Sequence, residues 1–285
     1  MLGLLGDEWS LLILQQALLG ATRYGEFMSR LPISNAVLTV RLRAMTEDLL
    51  LDRVVYQTNP VRAEYLTTAR SRSLWPVLVS IWTWERAWVE HHSDPLPAMC
   101  HVDCGHDFTP ALVCAGCMTV TTDCDLLVHW GPSGSWPRSV PASANRRRPS
   151  AAPRATTSTS LFPHTMSVFG NRWSAALLIA AFLGTTRFGE FEDRLGAPPA
   201  SISERLRTFR ANGILDGDAE YLLTEKGRAF LPVLITALQW AQRWFHAPEG
   251  DAVLLSHREC GRSFTGVLAC DQCETPLRGA RIGVV

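Results

Sequence analysis

The chain has 285 residues, 47% of them hydrophobic and 19% charged, and its 27 basic and 27 acidic side chains give a formal net charge of zero. That length suggests two domains, and the neutral total excludes a global basic field of the kind that draws a protein to nucleic acid. No apolar run of roughly 18 residues is present, which excludes a hydrophobic spanning helix; the opening MLGLLGDEWS has no basic segment and cleavage site, so a cytoplasmic protein is expected.

Trp9 to Leu19 is apolar almost all round, as a buried helix is, and Gly20 ends it. Thr22 to Phe27 opens a short second helix that runs to Leu31 and stops at Pro32. Ser34 or Asn35 caps a third helix, in which Leu38, Leu42, Met45 and Leu49 recur at helical spacing as the buried stripe. Its outer side carries Asn35, Thr39, Arg41 and Arg43. Residues 53–57 and 63–66 read as two strands around the turn signal Asn59-Pro60, a hairpin. A long helix from Thr68 or Ala69 to about His91 follows, with Leu74, Val77, Leu78, Ile81, Trp84 and Trp88 on its apolar side. The order of three helices, a hairpin and a last helix is that of a winged helix-turn-helix, whose third helix enters the major groove.

The same pattern returns. LGDEWSLLILQQALLGATRYGEF from position 5 matches FGNRWSAALLIAAFLGTTRFGEF from position 169 at an offset of 164, and VRLRAM matches ERLRTF. The offset then falls to 156, so the second copy has lost eight residues of its wing. EYLTTARSRSLWPVL matches EYLLTEKGRAFLPVL, and Trp84 and Trp88 match Trp240 and Trp244. Finally HVDCGHDFTPALVCAGC matches HRECGRSFTGVLACDQC.

Charge by segment is less even than the total. Residues 91–130 carry five acids and no Lys or Arg, and residues 131–165 carry five Arg and no acid. The expected organisation is a first winged helix at 1–92, a Cys/His module at 93–130, a Pro/Ser/Arg-rich linker at 131–162, a second winged helix at 163–248 and a second Cys/His module at 249–285. The linker lacks large apolar side chains and should be extended or mobile; its Arg146-Arg147-Arg148 reads as a tether or as a backbone contact to DNA. The fold class is therefore mainly α with small β-hairpin wings.

These pieces, in this order and twice over, resemble the HxlR family of small bacterial winged-helix regulators. The resemblance covers about 1–90 and 166–246 and implies DNA-binding transcriptional regulators that dimerise through terminal helices. Single-module members often sense oxidants through a Cys shortly before the Gly-x-x-Trp segment; no Cys precedes Trp9, and Cys124 is the nearest before Trp173. The Lys-Gly-Arg of copy two reads Arg70-Ser71-Arg72 in copy one, so its Gly is missing.

Candidate DNA contacts are Ser34, Asn35, Thr39, Arg41 and Arg43 on the first third helix, Arg53 and Arg62 on its wing, and Ser201, Ser203, Arg205 and Arg207 on the second third helix. Arg is the commonest reader of guanine; a solvated helix face, with ion pairs to Glu47 or Asp48, is the alternative, and the winged-helix order favours DNA contact. The second wing retains Asp216, Asp218 and Glu220 and should repel phosphate. Copy one is therefore expected to be the stronger half. The tryptophans of the last helices line either an inter-copy core or a pocket for a small aromatic effector.

His101, Cys104, Cys114 and Cys117, and likewise His257, Cys260, Cys270 and Cys273, form His-x2-Cys and Cys-x2-Cys pairs. Each set of four fits a structural Cys3His zinc site, so two zinc ions are expected, with all positions filled by protein and none open for a substrate water. Gly105 after the second ligand suits a turn with positive φ. Free buried thiols or a redox couple are the alternatives. Cys100 and Cys124 have no counterpart in copy two. No P-loop, dinucleotide fingerprint or catalytic triad is evident, so no enzyme is expected. The expected partners are double-stranded DNA and a homodimer or intrachain pseudo-dimer, with no membrane. Two further readings stay open: a protein-interaction module on degenerate winged helices, and a redox- or metal-responsive regulator using the Cys-x2-Cys pairs.

Overall fold

The computed structural model describes residues 7–90, 92, 96–139, 163–170 and 172–284. The Arg146-Arg147-Arg148 run lies outside them. Copy one consists of α1 (Glu8–Leu18), α2 (Tyr24–Arg30), α3 (Asn35–Glu47), the wing strands β1 (Leu51–Thr58) and β2 (Val61–Thr67), a short α4 (Ala69–Arg72) and α5 (Trp75–Trp88). The single long helix expected after the wing is thus two, broken at Ser73-Leu74. Its tail holds β3 (Met99–His101), β4 (His106–Asp107), β5 (Pro110–Cys114), β6 (Leu126–Trp130) and α6 (Trp136–Ser139). Copy two begins with α7 (Pro163–Phe169), which has no counterpart among the described residues of copy one, and then repeats the plan as α8 (Arg172–Phe182), α9 (Phe188–Leu195), α10 (Pro199–Ala211), β7 (Leu215–Asp216), β8 (Leu222–Leu223), α11 (Glu225–Arg228), α12 (Leu231–Trp244), β9 (Val253–His257), β10 (Gly266–Cys270) and β11 (Ile282–Val284).

Local chemistry explains the shared TR-aromatic-GEF motif. Glu26 stands at the third position of α2 and its carboxylate accepts the backbone N–H of Thr22 at 2.7 Å and of Arg23 at 3.0 Å, satisfying two donors that the helix start would otherwise orphan. These bonds hold the Glu26 carboxyl below its usual range. Glu190 does the same for Thr186 and Arg187. Arg23 then reaches Glu64 at 3.0 Å and Arg187 reaches Glu220 at 2.9 Å, so each second helix is tied to the base of its wing.

Leu38, Leu42 and Met45 are buried as the helical spacing predicts, and so are Ile202, Leu206 and Phe209 in copy two. Leu49 departs from its expected place: it is 59% exposed with φ of 57°. The chain reverses there, beyond the end of α3, and Leu50 and Leu51 enter the core instead. Phe27 and Phe191 occupy equivalent fully buried positions.

The copies pack on each other through α5 and α12. The tryptophans of these helices serve this interface. The indole N–H of Trp84 donates to the carbonyl of Lys226 at 3.0 Å, that of Trp240 to Arg70 at 2.9 Å, and that of Trp244 to the Ser73 hydroxyl at 2.8 Å. Glu85, fully buried, accepts the backbone N–H of Thr165 from α7 at 2.6 Å. The Lys226 ammonium lies 5.3 Å from the Trp84 ring centroid, and burial pushes its pKa down.

The two tails interleave. β5 pairs antiparallel with β10, placing Cys114 opposite Gly266 and Pro110 opposite Cys270. β6 pairs with β9, and β11 pairs with β3. A second core joins Phe108 and Leu112 of one tail to Phe264 and Leu268 of the other, and seats both on Val79 of α5 and on Leu231 and Ile235 of α12. Residues 131–139, read from sequence as the start of a mobile tether, pack on copy two: Gly131 N–H donates to Ala252 at 2.9 Å, and Arg138 pairs with Glu249 at 3.2 Å. A Cβ at Gly134 would lie 1.8 Å from the Ala252 carbonyl oxygen, so glycine is what lets the backbones meet.

Candidate nucleic-acid interface and metal centres

The third helices bring the predicted contact residues to the surface unevenly. Ser34 caps α3, its hydroxyl accepting the N–H of Val37 at 3.4 Å. Asn35 and Thr39 are exposed but engaged by Tyr24, whose hydroxyl lies 3.1 Å from both side chains; the sequence reading did not single out Tyr24. Arg41 is half-buried and bound to Asp7 at 2.6 Å, so it braces α3 against the start of α1. Arg43 is exposed and pairs with Glu47 one turn on at 2.8 Å. In α10, Ser201, Ser203 and Arg205 are half-buried, with Arg205 3.5 Å from Glu204, and Arg207 is exposed without an ion-pair partner among the described residues.

The wings differ more. Wing one is an eight-residue strand against a seven-residue strand, with a bulge between Val55 and Gln57. Arg53 and Arg62 are exposed on it, and neither has an ion-pair partner among the described residues. Wing two keeps two-residue strands. Its acids are not simply exposed charges: Asp218 binds Arg210 at 2.6 Å and Glu220 binds Arg187, so two of the three acids are neutralised locally. Wing two is therefore short and charge-quenched, and less repulsive than its sequence alone implies.

The eight Cys and His residues form two clusters, as expected, but with a different partition. His101 and Cys104 of the first tail meet Cys270 and Cys273 of the second, while Cys114 and Cys117 meet His257 and Cys260. Each cluster takes the His-x2-Cys pair of one copy and the Cys-x2-Cys pair of the other. The strand pairing of β5 with β10 causes this, because it turns the two Cys-x2-Cys turns toward the opposite copy. Within each cluster the ligand atoms lie within 4.8 Å of one another. His101 Nδ1 is 3.4 Å from Cys104 Sγ and 3.3 Å from Cys273 Sγ, and Cys104 is 3.9 Å from Cys270. The other cluster has 3.4 Å from His257 Nδ1 to both Cys117 and Cys260, and 4.0 Å from Cys114 to Cys260. A tetrahedral ion with sulfur at about 2.3 Å and nitrogen at about 2.0 Å has edges of about 3.8 and 3.5 Å. The donor sets fit a tetrahedral metal ion.

The local backbone serves the same geometry. Gly105 and Gly261, each directly after a ligand, have φ of 74° and 67°. Burial raises the Cys114 and Cys270 thiols. Cys117 is lowered to about 7, first by the backbone N–H of Thr119, and Cys273 to about 6, first by the Thr275 hydroxyl at 3.1 Å. These threonines stand two residues after the last Cys in both copies, a signal that the repeat carried and the ligand search passed over. The buried His101 ring turns Nε2 toward Asp103 at 3.4 Å, and Asp103 is itself held by Arg281 of the other tail. Cys100 and Cys124 belong to neither cluster.

Two winged helix-turn-helix units, each presenting its third helix, make this a DNA-binding transcriptional regulator by class. The model of the HxlR-like helix-turn-helix family matches residues 4–93 and again 168–249, and the chain belongs to that family. Among curated relatives, the uncharacterized HTH-type transcriptional regulators Mb3122 of Mycobacterium bovis and Rv3095 of Mycobacterium tuberculosis are each 34% identical over 131 residues, 46% of this chain and 83% of theirs. YvaP of Bacillus subtilis, named likewise, is 34% identical over 88 residues, 30% of this chain and 82% of its own length. The crystal structure of PA1607, a candidate transcription factor, is 33% identical and covers 41% of this chain and 87% of its own, with a TM-score of 0.37. No helix among the described residues is long and apolar enough to cross a membrane.

Proposed function

We propose that the chain is an intrachain pseudo-dimer that reads an asymmetric operator, with copy one as the stronger DNA contact and two structural zinc ions clasping the copies together. The observation that carries the asymmetry is the pair of exposed guanidiniums of Arg53 and Arg62, without ion-pair partners among the described residues, on a long wing, against a short second wing that offers no basic residue and retains Asp216 beside the arginine-held Asp218 and Glu220. Phosphate contacts position a protein on the duplex and supply most of its nonspecific affinity. Arg43, Asn35 and Thr39 in copy one and Arg207, Ser201 and Ser203 in copy two are the groups offered to base edges or phosphates. Arg41 acts through Asp7 as a brace and Arg205 contributes from a half-buried position. We assign the chain no catalytic role.

Zinc is the ion we assign to the clusters, because three thiolates and one imidazole at tetrahedral spacing are its usual structural donor set. Bound there, it would supply folding free energy to two tails too small to own separate cores. Cys117 and Cys273, with depressed pKa values, would offer thiolate at neutral pH with least cost. The two tail modules then act as one composite clasp.

A gel shift on the DNA upstream of the chain's own gene, run across a salt series, tests the reading. Salt-dependent binding with an uneven footprint is expected. Absence of any shift at low salt would overturn it.

A further inference from the structure

A cavity of about 840 Å³ opens on copy two, between α8, α9 and α12 on one side and the β6–β9 ribbon with α6 on the other. Its walls are mostly aliphatic, with Leu234 and Leu238 among them, and Trp130, Trp136, Phe169 and Phe182 add aromatic faces. Trp130 and Trp136 meet edge to face at 5.2 Å and form the roof. Both come from the tail of copy one, so the cavity needs both copies. The corresponding surface of copy one is open: Leu19 is 52% exposed where Leu183 is half-buried, and Arg30 is exposed where Arg194 is half-buried.

Arg194 distinguishes this cavity from a packing gap. Its Nη1 donates to the buried Thr185 hydroxyl at 2.6 Å, which fixes the guanidinium at the wall, 6.0 Å from the Trp136 ring centroid. No carboxylate lies in ion-pairing range of it among the described residues. Glu190 on the same helix is occupied by the N–H groups of Thr186 and Arg187. Of the other charged wall residues, Arg138 pairs with Glu249 and Asp123 with Arg228, while Asp251 is exposed at the rim and has no ion-pair partner among the described residues. A concave apolar site of several hundred Å³ with one oriented polar group is the usual form of a small-molecule pocket.

We propose that this cavity binds an apolar monocarboxylate, with the carboxylate on the free N–H groups of Arg194 and the hydrocarbon body against Trp130, Trp136 and Phe182. Arginine matches a planar carboxylate through its fork of donors, and the aromatic roof accepts either an aryl or an alkyl body. Arg194 and Leu195 end α9, and α10 begins at Pro199, so the ligand sits beside the turn of the second helix-turn-helix. Its occupancy therefore bears on the DNA-binding reading, but binding itself does not depend on that reading.

The test is titration of the full-length protein with 2-naphthoate and with decanoate, followed by tryptophan fluorescence and calorimetry, each beside its neutral amide. At least one acid should bind saturably, about tenfold or more tighter than its amide, since a hydrogen bond to a charged group is worth at least that ratio. Arg194→Gln should remove the difference between acid and amide while leaving amide binding in place. Preference for naphthoate or for decanoate identifies the ligand as an aryl or a fatty acid. Equal affinities for acid and amide in the unaltered protein, or no saturable binding by either acid, overturn the proposal even if the variant fails to fold. The same titration scored by DNA affinity separates failure of this site from failure of the DNA reading.

Discussion

The two copies have the same helical scaffold and unlike wings. In both, a capping glutamate starts the second helix, an arginine ties that helix to the wing base, and a phenylalanine fills the same core position. Beyond the wing base the likeness ends, with eight- and seven-residue strands in copy one and two-residue strands in copy two. The difference separates two kinds of constraint. Residues that must satisfy neighbours inside the protein keep their spacing, because interiors are close-packed and tolerate little change of volume. A wing tip has few neighbours inside the protein, so it can lengthen, shorten or change charge at little cost to the fold.

The clasp is the strongest place to break the comparison, since it treats the copies as equals. In Cys104→Ser/Cys273→Ser both lesions fall in one cluster, and native mass measurement should find one of two zinc ions retained. Cys104→Ser/Cys114→Ser, with both lesions in copy one, should lose both. Clusters formed within each copy would give the reverse. Next in size, Phe27→Ala and Phe191→Ala should each cost about 3–5 kcal/mol in denaturant unfolding. Unequal losses would show that the cores are not equivalent. The wings should then part company. Arg53→Ala/Arg62→Ala should lower DNA affinity and reduce the salt slope by about 2, at about 0.9 per phosphate contact. Asp216→Asn/Asp218→Asn should change both far less. Equal effects would remove the asymmetry. Smallest of all, Trp84→Phe and Trp240→Phe each delete one indole hydrogen bond across the copy interface, and each should cost about 1 kcal/mol.

Much of this architecture is legible in the residues. The 3.6-residue recurrence of Leu38, Leu42 and Met45 locates the buried face of α3, and the duplicated TR-aromatic-GEF segment locates both second helices. Leu49 continues the count beyond the point where the chain leaves the helix, and periodicity carries no signal for that reversal. The ligand types were legible from their spacing, but not their partition. Spacing says which two residues share a turn; it does not say which turn faces which, and that follows from the pairing of β5 with β10. The quenching of Asp218 by Arg210 and the roof supplied by Trp130 and Trp136 escape the sequence for the same reason, since both are contacts between segments distant in the chain or folded back on it.

The crossed ligand sets make metal loading a question of molecularity. A lone copy offers each ion one pair of ligands and completes neither coordination sphere. Two separate copies could complete both spheres only by meeting, so their loading would depend on protein concentration. Joined in one chain, the halves meet at an effective concentration set by the linker and not by the amount of protein. On the zinc proposal, loading should then be independent of how much protein is present. The tandem chain thereby carries its second subunit with it, and retains a complete pair of ion cages at any dilution.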